Sequence, residues 1–338
     1  MFLLKKIKEK NIWRITIKYF VSYIYLFIWR YIFNFKGTLL HFFWFIKKRE
    51  FYKLKNDFLV VKDNKDLKEL SKILYNQCLE FDLDNMKKKM LDGSIFSENQ
   101  TNSGKKTYTI DLYEKLNNET KRKILDFATS EKIISSAAKH LGVFPILSRI
   151  KLNYNIVNEH ENRGAMLWHR DGFGFKSFDI FISITNVNHE NGPLFVSKEN
   201  NSLGVFYRLQ NEKNLIPGEA GKIDDNSETS KKLDQNIETN IGPAGTALMI
   251  DSYSTYHKGG NCKSNYRIVL RISFQTCDAL DLSSQNEEFK YLNNIHIGNT
   301  KSKYLKYFFF FRSKLFFSNY VKIKLIKFYK IMQFYQKV

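Results

Sequence analysis

A chain of 338 residues can bury one substantial core and still carry extensions. Its three cysteines, Cys78, Cys262 and Cys277, cannot all pair and lack metal-site spacing, which argues against a disulfide framework and for small buried hydrophobes in a reducing compartment. The formal charge of +20 sits at the two ends: residues 1–55 hold thirteen Lys/Arg against Glu9 and Glu50, and residues 301–338 hold ten and no acid. The stretch between them is close to neutral, which argues against a nucleic-acid-binding face there.

Taken in chain order, residues 1–55 form a basic aromatic segment in which Trp13, Tyr19, Tyr23, Phe27, Trp29 and Phe33 interleave with Lys and Arg. Ile24, Leu26, Ile28, Leu39 and Leu40 make it apolar overall, the composition of a segment that docks on an anionic membrane surface. The chain is rich in Lys, Asn, Ile and Phe throughout, so compositional bias accounts for part of this pattern. The longest uncharged run, Tyr19 to Trp29, falls short of the roughly 20 residues a spanning helix needs. Lys18 and Arg30 could snorkel to lengthen it, so a short span stays open beside surface docking. No small-residue cleavage site follows an apolar run, which argues against a secretory signal peptide. The location this implies is cytoplasmic, peripheral on the inner face of the membrane.

Residues 56–145 read as a helical layer. Leu67, Leu70, Ile73, Leu74 and Cys78 recur at helical spacing behind an Asn64 cap. Further helices are predicted over 119–127 and 130–141, the last closed by Gly142 and Pro145. From residue 146 to 300 the text turns to short β-rich runs, at 146–157, 178–187, 193–196, 204–209, 247–250 and 267–275, with Gly and Asn turns between them. That is the pattern of an antiparallel barrel or jelly roll. Residues 211–240 are polar and acidic and read as a long surface loop or lid. Residues 301–338 form a second basic aromatic segment, read as a helix.

The chemistry is concentrated in Trp168-His169-Arg170-Asp171-Gly172, followed far downstream by His257 and Arg267. On an extended segment His169 and Asp171 point to the same face, because strand side chains alternate. A distant second histidine can complete the two-His-one-carboxylate face of a non-haem Fe(II) site, which leaves positions open on the metal. Taken alone, a His-x-Asp is a weak signal that a polar turn also produces.

The surrounding text strengthens it. The runs LWHRDGFGFKSFDIFISITNVNHENGPLFVSKENN (167–201) and GPAGTALMIDSYSTYHKGGNCKSNYRIVLRISF (242–274) resemble the phytanoyl-CoA dioxygenase-like branch of the Fe(II)/2-oxoglutarate oxygenases. The resemblance covers residues 147–277: a Trp-His-x-Asp, an Asn-Gly-Pro-Leu turn, a Gly-Pro-x-Gly-Thr strand, an Asp-x5-His-x-Gly segment and an Arg-bearing strand, in that order. It implies a mainly β fold with flanking helices, a double-stranded β-helix (cupin-like jelly roll). It implies His169, Asp171 and His257 as ligands of Fe(II), and Arg267 as the partner of the distal carboxylate of 2-oxoglutarate. Arg271, four residues on and on the same strand face, is the competing candidate for that carboxylate, or pairs with a neighbouring acid. The Pro-Gly-Ser-His turn usual after Gly-Pro-Leu in relatives is here Ser197-Lys198-Glu199-Asn200-Asn201, which bears on loop shape rather than on metal ligands.

The reaction so implied is a 2-oxoglutarate- and O2-dependent hydroxylation releasing succinate and CO2, with a small organic, lipid or lipid-linked glycan substrate. A carboxylate at position 171 favours hydroxylation over halogenation, since halogenating relatives lack it. The alternative is a catalytically silent jelly roll that binds a ligand or partner at a membrane surface. The remaining histidines read as bystanders: His41 and His296 in or near the end segments, His160 and His189 in turns, and His140 at a helix C-terminus where the dipole suits it. Asp251 reads as a turn or supporting group rather than a ligand.

Overall fold

The computed structural model describes residues 35–44, 48–95, 107–158, 162, 164–171, 176–198 and 222–275. The basic ends therefore lie outside the described residues, apart from a helix α1 (Phe35–Trp44) and residues 48–55. The strand expected at 204–209 and Cys277 lie outside them too.

Next come β1 (Phe58–Val61), α2 (Lys65–Leu79), α3 (Leu83–Leu91), β2 (Thr109–Asp111), α4 (Asn118–Ala128), α5 (Glu131–Leu141) and β3 (Ile146–Asn155). They are followed by β4 (Ser177–Ser183), β5 (Leu194–Ser197), α6 (Glu228–Asp234), β6 (Ile237–Thr239), β7 (Ala247–Ile250), β8 (His257–Gly259) and β9 (Arg267–Gln275). The helix starts follow capping chemistry: the Asn64 side chain accepts from the N–H of Leu67, and Asn117 from that of Thr120. Gly142 closes α5 at φ 71°, the left-handed conformation that a side chain resists.

The strands form two antiparallel sheets, of order β1-β7-β4-β9-β3-β2 and β6-β5-β8. The segment carrying His169 joins the free edge of the smaller sheet through a bridge to His257. From β3 onward the chain passes repeatedly from one sheet to the other, with β5 and β6 successive in the smaller one, so that β3, β4, β7 and β9 lie in one sheet and the His169 segment, β5, β6 and β8 in the other. This winding is the double-stranded β-helix expected from the sequence.

The apolar pattern explains the layering. Phe178, Ile180 and Ile182 of β4 share a face with Ile268, Leu270, Ile272 and Phe274 of β9, and pack under Leu67 and Leu74 of α2, Ile124 of α4 and Ile133 and Leu141 of α5. The opposite face puts Phe181, Leu248, Ile250 and Val269 against Val196 of the smaller sheet. Both faces of the larger sheet are covered, so its central strands, β4 and β9, are largely apolar on both faces rather than alternating, with Asp179, Arg267 and Arg271 the charged exceptions.

Three features depart from the sequence reading. Residues 58–61 and 109–111, within the stretch read as a helical layer, are the two edge strands of the larger sheet. An additional helix, α3, occupies Leu83–Leu91. The described part of 211–240 is not a surface loop: residues 228–234 are helical, residues 237–239 form a strand, and Ile223 and Leu233 are buried beside Trp168 and Tyr256. Its polar residues serve the local turns, with Ser227 capping α6 and Asp224 accepting from the N–H of Asn226.

A candidate metal centre inside the jelly roll

His169 and His257 face each other across a two-way backbone bridge, N–H to carbonyl at 3.0 Å in each direction. Such a pair puts both side chains on one side of the sheet, and the ring centroids are 4.4 Å apart. The Nδ1 of His169 lies 2.8 Å from the Leu167 carbonyl, and that of His257 lies 3.0 Å from the Thr255 carbonyl. A carbonyl can only accept, so each Nδ1 carries the proton and each Nε2 lone pair is left for a metal. Asp171 completes the group: its Oδ1 is 3.5 Å from Nε2 of His169 and 3.8 Å from Nε2 of His257. All three donor atoms lie within 4.8 Å of one another. The Asp171 N–H is anchored on the Ser252 carbonyl at 2.9 Å.

The protonation states suit ligation. Burial, reinforced by the neighbouring His169, pushes the His257 imidazole down to about 4, so it is neutral at physiological pH. Burial alone would raise the Asp171 carboxyl, but the Arg271 guanidinium with the two histidines outweighs it and holds the group well below the ordinary carboxylate value. The site therefore presents two imidazoles, each turning Nε2 inward, and one carboxylate, the donor set of the facial triad.

The two arginines of β9 have different environments. Arg271 reaches Asp171 Oδ2 with Nη2 at 2.6 Å, and Asp179 Oδ1 with Nη2 and Nε at 3.0 and 3.3 Å. Asp179, fully buried, also takes hydrogen bonds from the hydroxyls of Ser177 (2.8 Å), Ser252 (2.6 Å) and Ser273. Arg271 thus pairs with neighbouring acids, one of the two roles the sequence left open for it. Arg267, on the same strand face by alternation, is buried, and its Nε and Nη1 have no hydrogen-bond partner among the described residues. Burial lowers its guanidinium below the usual value, with only the Cys262 thiol to offset it. A buried cation without an anion is costly, and a carboxylate co-substrate is the group that would complete it. The three donors and Arg267 together fit Fe(II) with 2-oxoglutarate.

Several supporting residues escaped the sequence reading. Asp179 had a signal: a lone acid inside the apolar strand SFDIFIS must find a buried partner. Asp234 had none in its polar surroundings. Its Oδ1 accepts from Trp168 Nε1 at 3.1 Å and from Lys258 Nζ at 2.8 Å, and that ammonium lies 4.7 Å from the centre of the Trp168 ring. These are the neighbours in sequence of the two histidines, so α6 braces the outer side of the strands that carry them.

A second group, Asp57, His140 and Asp251, also brings ligand-capable atoms within 4.8 Å. There the Asp251 carboxylate is spent on structure. Its Oδ1 accepts the N–H groups of Ser177 (3.0 Å), Tyr253 (3.2 Å) and Ser254 (3.3 Å), and Oδ2 lies 2.9 Å from His140 Nε2. Asp251 is the turn group its position suggested. The Asn-Gly-Pro-Leu motif is structural as well. Gly192 has φ 72°, and a Cβ there would come within 2.6 Å of the Gly260 carbonyl oxygen, so this turn seats directly on the loop after β8.

No family model matches the chain, and no curated protein is similar to it in sequence. Among solved structures it is similar to EctD from S. alaskensis with 2-oxoglutarate and 5-hydroxyectoine, at 18% identity, with 66% of this chain and 74% of that one covered and a TM-score of 0.40. It is similar to the epimerase SnoN in complex with Fe3+, alpha ketoglutarate and nogalamycin RO, at 14% identity over 66% and 80% of the chains, TM-score 0.40. A third is HygX from Streptomyces hygroscopicus with nickel and 2-oxoglutarate bound, at 9% identity over 65% and 82%, TM-score 0.39. Similarity at this level adds no weight to the strand order and side-chain geometry described above.

Proposed function

We propose that the protein is a non-haem Fe(II)/2-oxoglutarate-dependent dioxygenase that hydroxylates a small organic, lipid or lipid-linked glycan substrate. The observation that carries the reading is the set of donors His169 Nε2, Asp171 Oδ1 and His257 Nε2, turned to one another inside a jelly roll that also buries Arg267, whose Nε and Nη1 find no partner among the described residues. Fe(II) held by that face supplies oxygen activation coupled to decarboxylation of 2-oxoglutarate to succinate and CO2. The chain's part is to bind and orient. The Leu167 and Thr255 carbonyls fix the tautomers of the two histidines, the Ser252 carbonyl and Arg271 fix Asp171, and Arg267 grips the distal carboxylate of the co-substrate. Phe181, Leu248 and Val269 keep the neighbouring interior apolar, so charge interactions at the site are poorly screened by water.

The test is anaerobic titration of the metal-free protein with Fe(II) and then 2-oxoglutarate, followed by oxygen and measurement of succinate. Saturable binding of both, with succinate formed on oxygenation, supports the reading. A folded protein that binds neither supports the silent ligand-binding jelly roll instead. The location is part of the same proposal. Helix α1 exposes Leu39, Phe42 and Phe43 within a basic segment, which suits peripheral contact with anionic lipid and a substrate met at that surface. Among the described residues no helix is long and apolar enough to cross a membrane.

A further inference from the structure

We infer that Arg271 is a positioning residue that restricts Asp171 to a single ligand oxygen, and that this restriction keeps room on the metal for both co-substrates. The inference rests on the metal-centre reading above. A carboxylate can ligate through one oxygen or two. An octahedral ion held by two histidines and one carboxylate oxygen has three positions left, enough for a chelating 2-oxo acid and for oxygen. If the carboxylate closes on the metal with both oxygens, only two positions remain, and the chelate fills them.

The structure places a barrier to that second mode. Asp171 Oδ2 is taken by Arg271 Nη2 at 2.6 Å, while Oδ1 is the oxygen facing both histidines. Arg271 cannot readily swing away, because Nε and Nη2 also hold Asp179 Oδ1 and its guanidinium carbon lies 5.1 Å from the centre of the Phe181 ring. Asp179 is itself fixed by the hydroxyls of Ser177, Ser252 and Ser273. A clamp of five side chains thus ends on the one oxygen that must stay off the metal. The guanidinium also repels a nearby dication, so it costs metal affinity in exchange for co-substrate access.

A residue that merely held the fold together would lower metal and co-substrate binding alike, whereas this role predicts opposite signs. The experiment uses the full chain loaded with Mn(II), whose effect on water-proton relaxation reports the number of exchangeable water ligands. Arg271→Gln should bind Mn(II) several-fold more tightly, bind 2-oxoglutarate roughly tenfold more weakly (about 1.4 kcal/mol) and carry one water fewer than wild type. Arg271→Lys keeps the charge but lacks the fork that bridges two carboxylates, so its water count and 2-oxoglutarate affinity should also fall. Asp179→Asn, one step removed from the metal, should move in the same directions by less.

A Lys variant with wild-type water count and 2-oxoglutarate affinity overturns the proposal, because charge alone would then suffice. Variants that lose Mn(II) and 2-oxoglutarate together overturn it too, since Arg271 would then only hold the site together. A wild-type protein that binds no Mn(II) removes the metal-centre reading itself, and this inference with it.

Discussion

His169 and His257 are 88 positions apart in the chain, yet their backbones exchange hydrogen bonds of 3.0 Å in both directions. Their separation is set by sheet geometry rather than by side-chain choice, and each ring is oriented by a carbonyl two residues before it, Leu167 or Thr255. On the proposed reading, an arriving metal would meet two imidazole donors already in place, and Asp171, held by the Ser252 carbonyl and Arg271, as the third ligand.

Loss of that third ligand should be costly. Asp171→Ala removes the only carboxylate among the three donors and leaves the Arg271 guanidinium beside the metal with Asp179 alone to offset it. The Fe(II) or Co(II) dissociation constant of the variant should rise by more than about 100-fold, beyond the 10–100-fold typical of losing a supporting group. Isothermal titration of the metal-free protein measures this directly. Unchanged affinity would mean that the metal, if it binds, binds elsewhere.

Arg267 should behave as a functional residue that weakens the resting fold. Its buried Nε and Nη1 lack partners among the described residues, so Arg267→Met should leave the melting temperature of the ligand-free protein unchanged or raise it. The same variant should raise the KM for 2-oxoglutarate strongly, because truncating one side of a buried charge pair costs roughly 2–5 kcal/mol. Adding 2-oxoglutarate should then stabilise the metal-loaded wild type but not the variant. A destabilised variant with normal KM would make Arg267 a structural residue.

The brace provided by α6 should also be measurable. Leu233→Ala empties a fully buried position beside Trp168 and should cost roughly 2–4 kcal/mol in urea unfolding. Asp234→Asn keeps a hydrogen-bond acceptor for Trp168 but loses the charge facing Lys258, and should weaken metal binding several-fold with little change in stability. Metal affinity equal to wild type in the Asn variant would show that α6 braces the sheet without reaching the site.

That helix also marks where the sequence stopped being legible. The strands at 247–250 and 267–275 could be read at their true boundaries because strands buried on both faces are mostly apolar, even with Arg267 and Arg271 set into the second. The caps at Asn64 and Gly142 could be read because only a few residue types satisfy helix ends. Residues 222–240 were misread because three apolar residues, Ile223, Leu233 and Ile237, fix an otherwise polar segment, and nothing local shows that a tryptophan waits beneath them. The edge strands at 58–61 and 109–111 are four and three residues long, defined by partners at 247–250 and 153–155 rather than by a pattern of their own. The donors were visible as residue types. The Arg271–Asp179 clamp was not, because it depends on which strands become neighbours.

His257 predicts a pH dependence of stability. Its imidazole protonates at about 4 in the folded protein against 6.5 ordinarily, so the unfolded chain takes up this proton first as the pH falls. The stabilisation is complete above about pH 6.5 and is lost as the pH drops towards 4, a change of up to about 3 kcal/mol. Metal-free wild type should therefore show a falling denaturation midpoint between pH 6.5 and 4.5, and His257→Gln a flatter profile over that window. Parallel profiles would mean that other groups dominate the acid response.

The most exposed expectation concerns the membrane. Helix α1 leaves Phe42 and Phe43 56% and 72% exposed, a high solvent cost for two adjacent aromatics unless another surface covers them. The surrounding residues 1–55 carry thirteen Lys/Arg against two acids, and each basic residue close to an anionic surface contributes about 1 kcal/mol. Apolar burial and charge should act together, so the two can be separated by experiment. Full-length protein should float with vesicles containing phosphatidylserine and far less with neutral vesicles. Phe42→Asp combined with Phe43→Asp should reduce flotation at all salt concentrations, whereas raising the salt alone should release only the share held by charge. Equal recovery with neutral and anionic vesicles, or no recovery with either, would remove the lipid surface as the place where this protein meets its substrate.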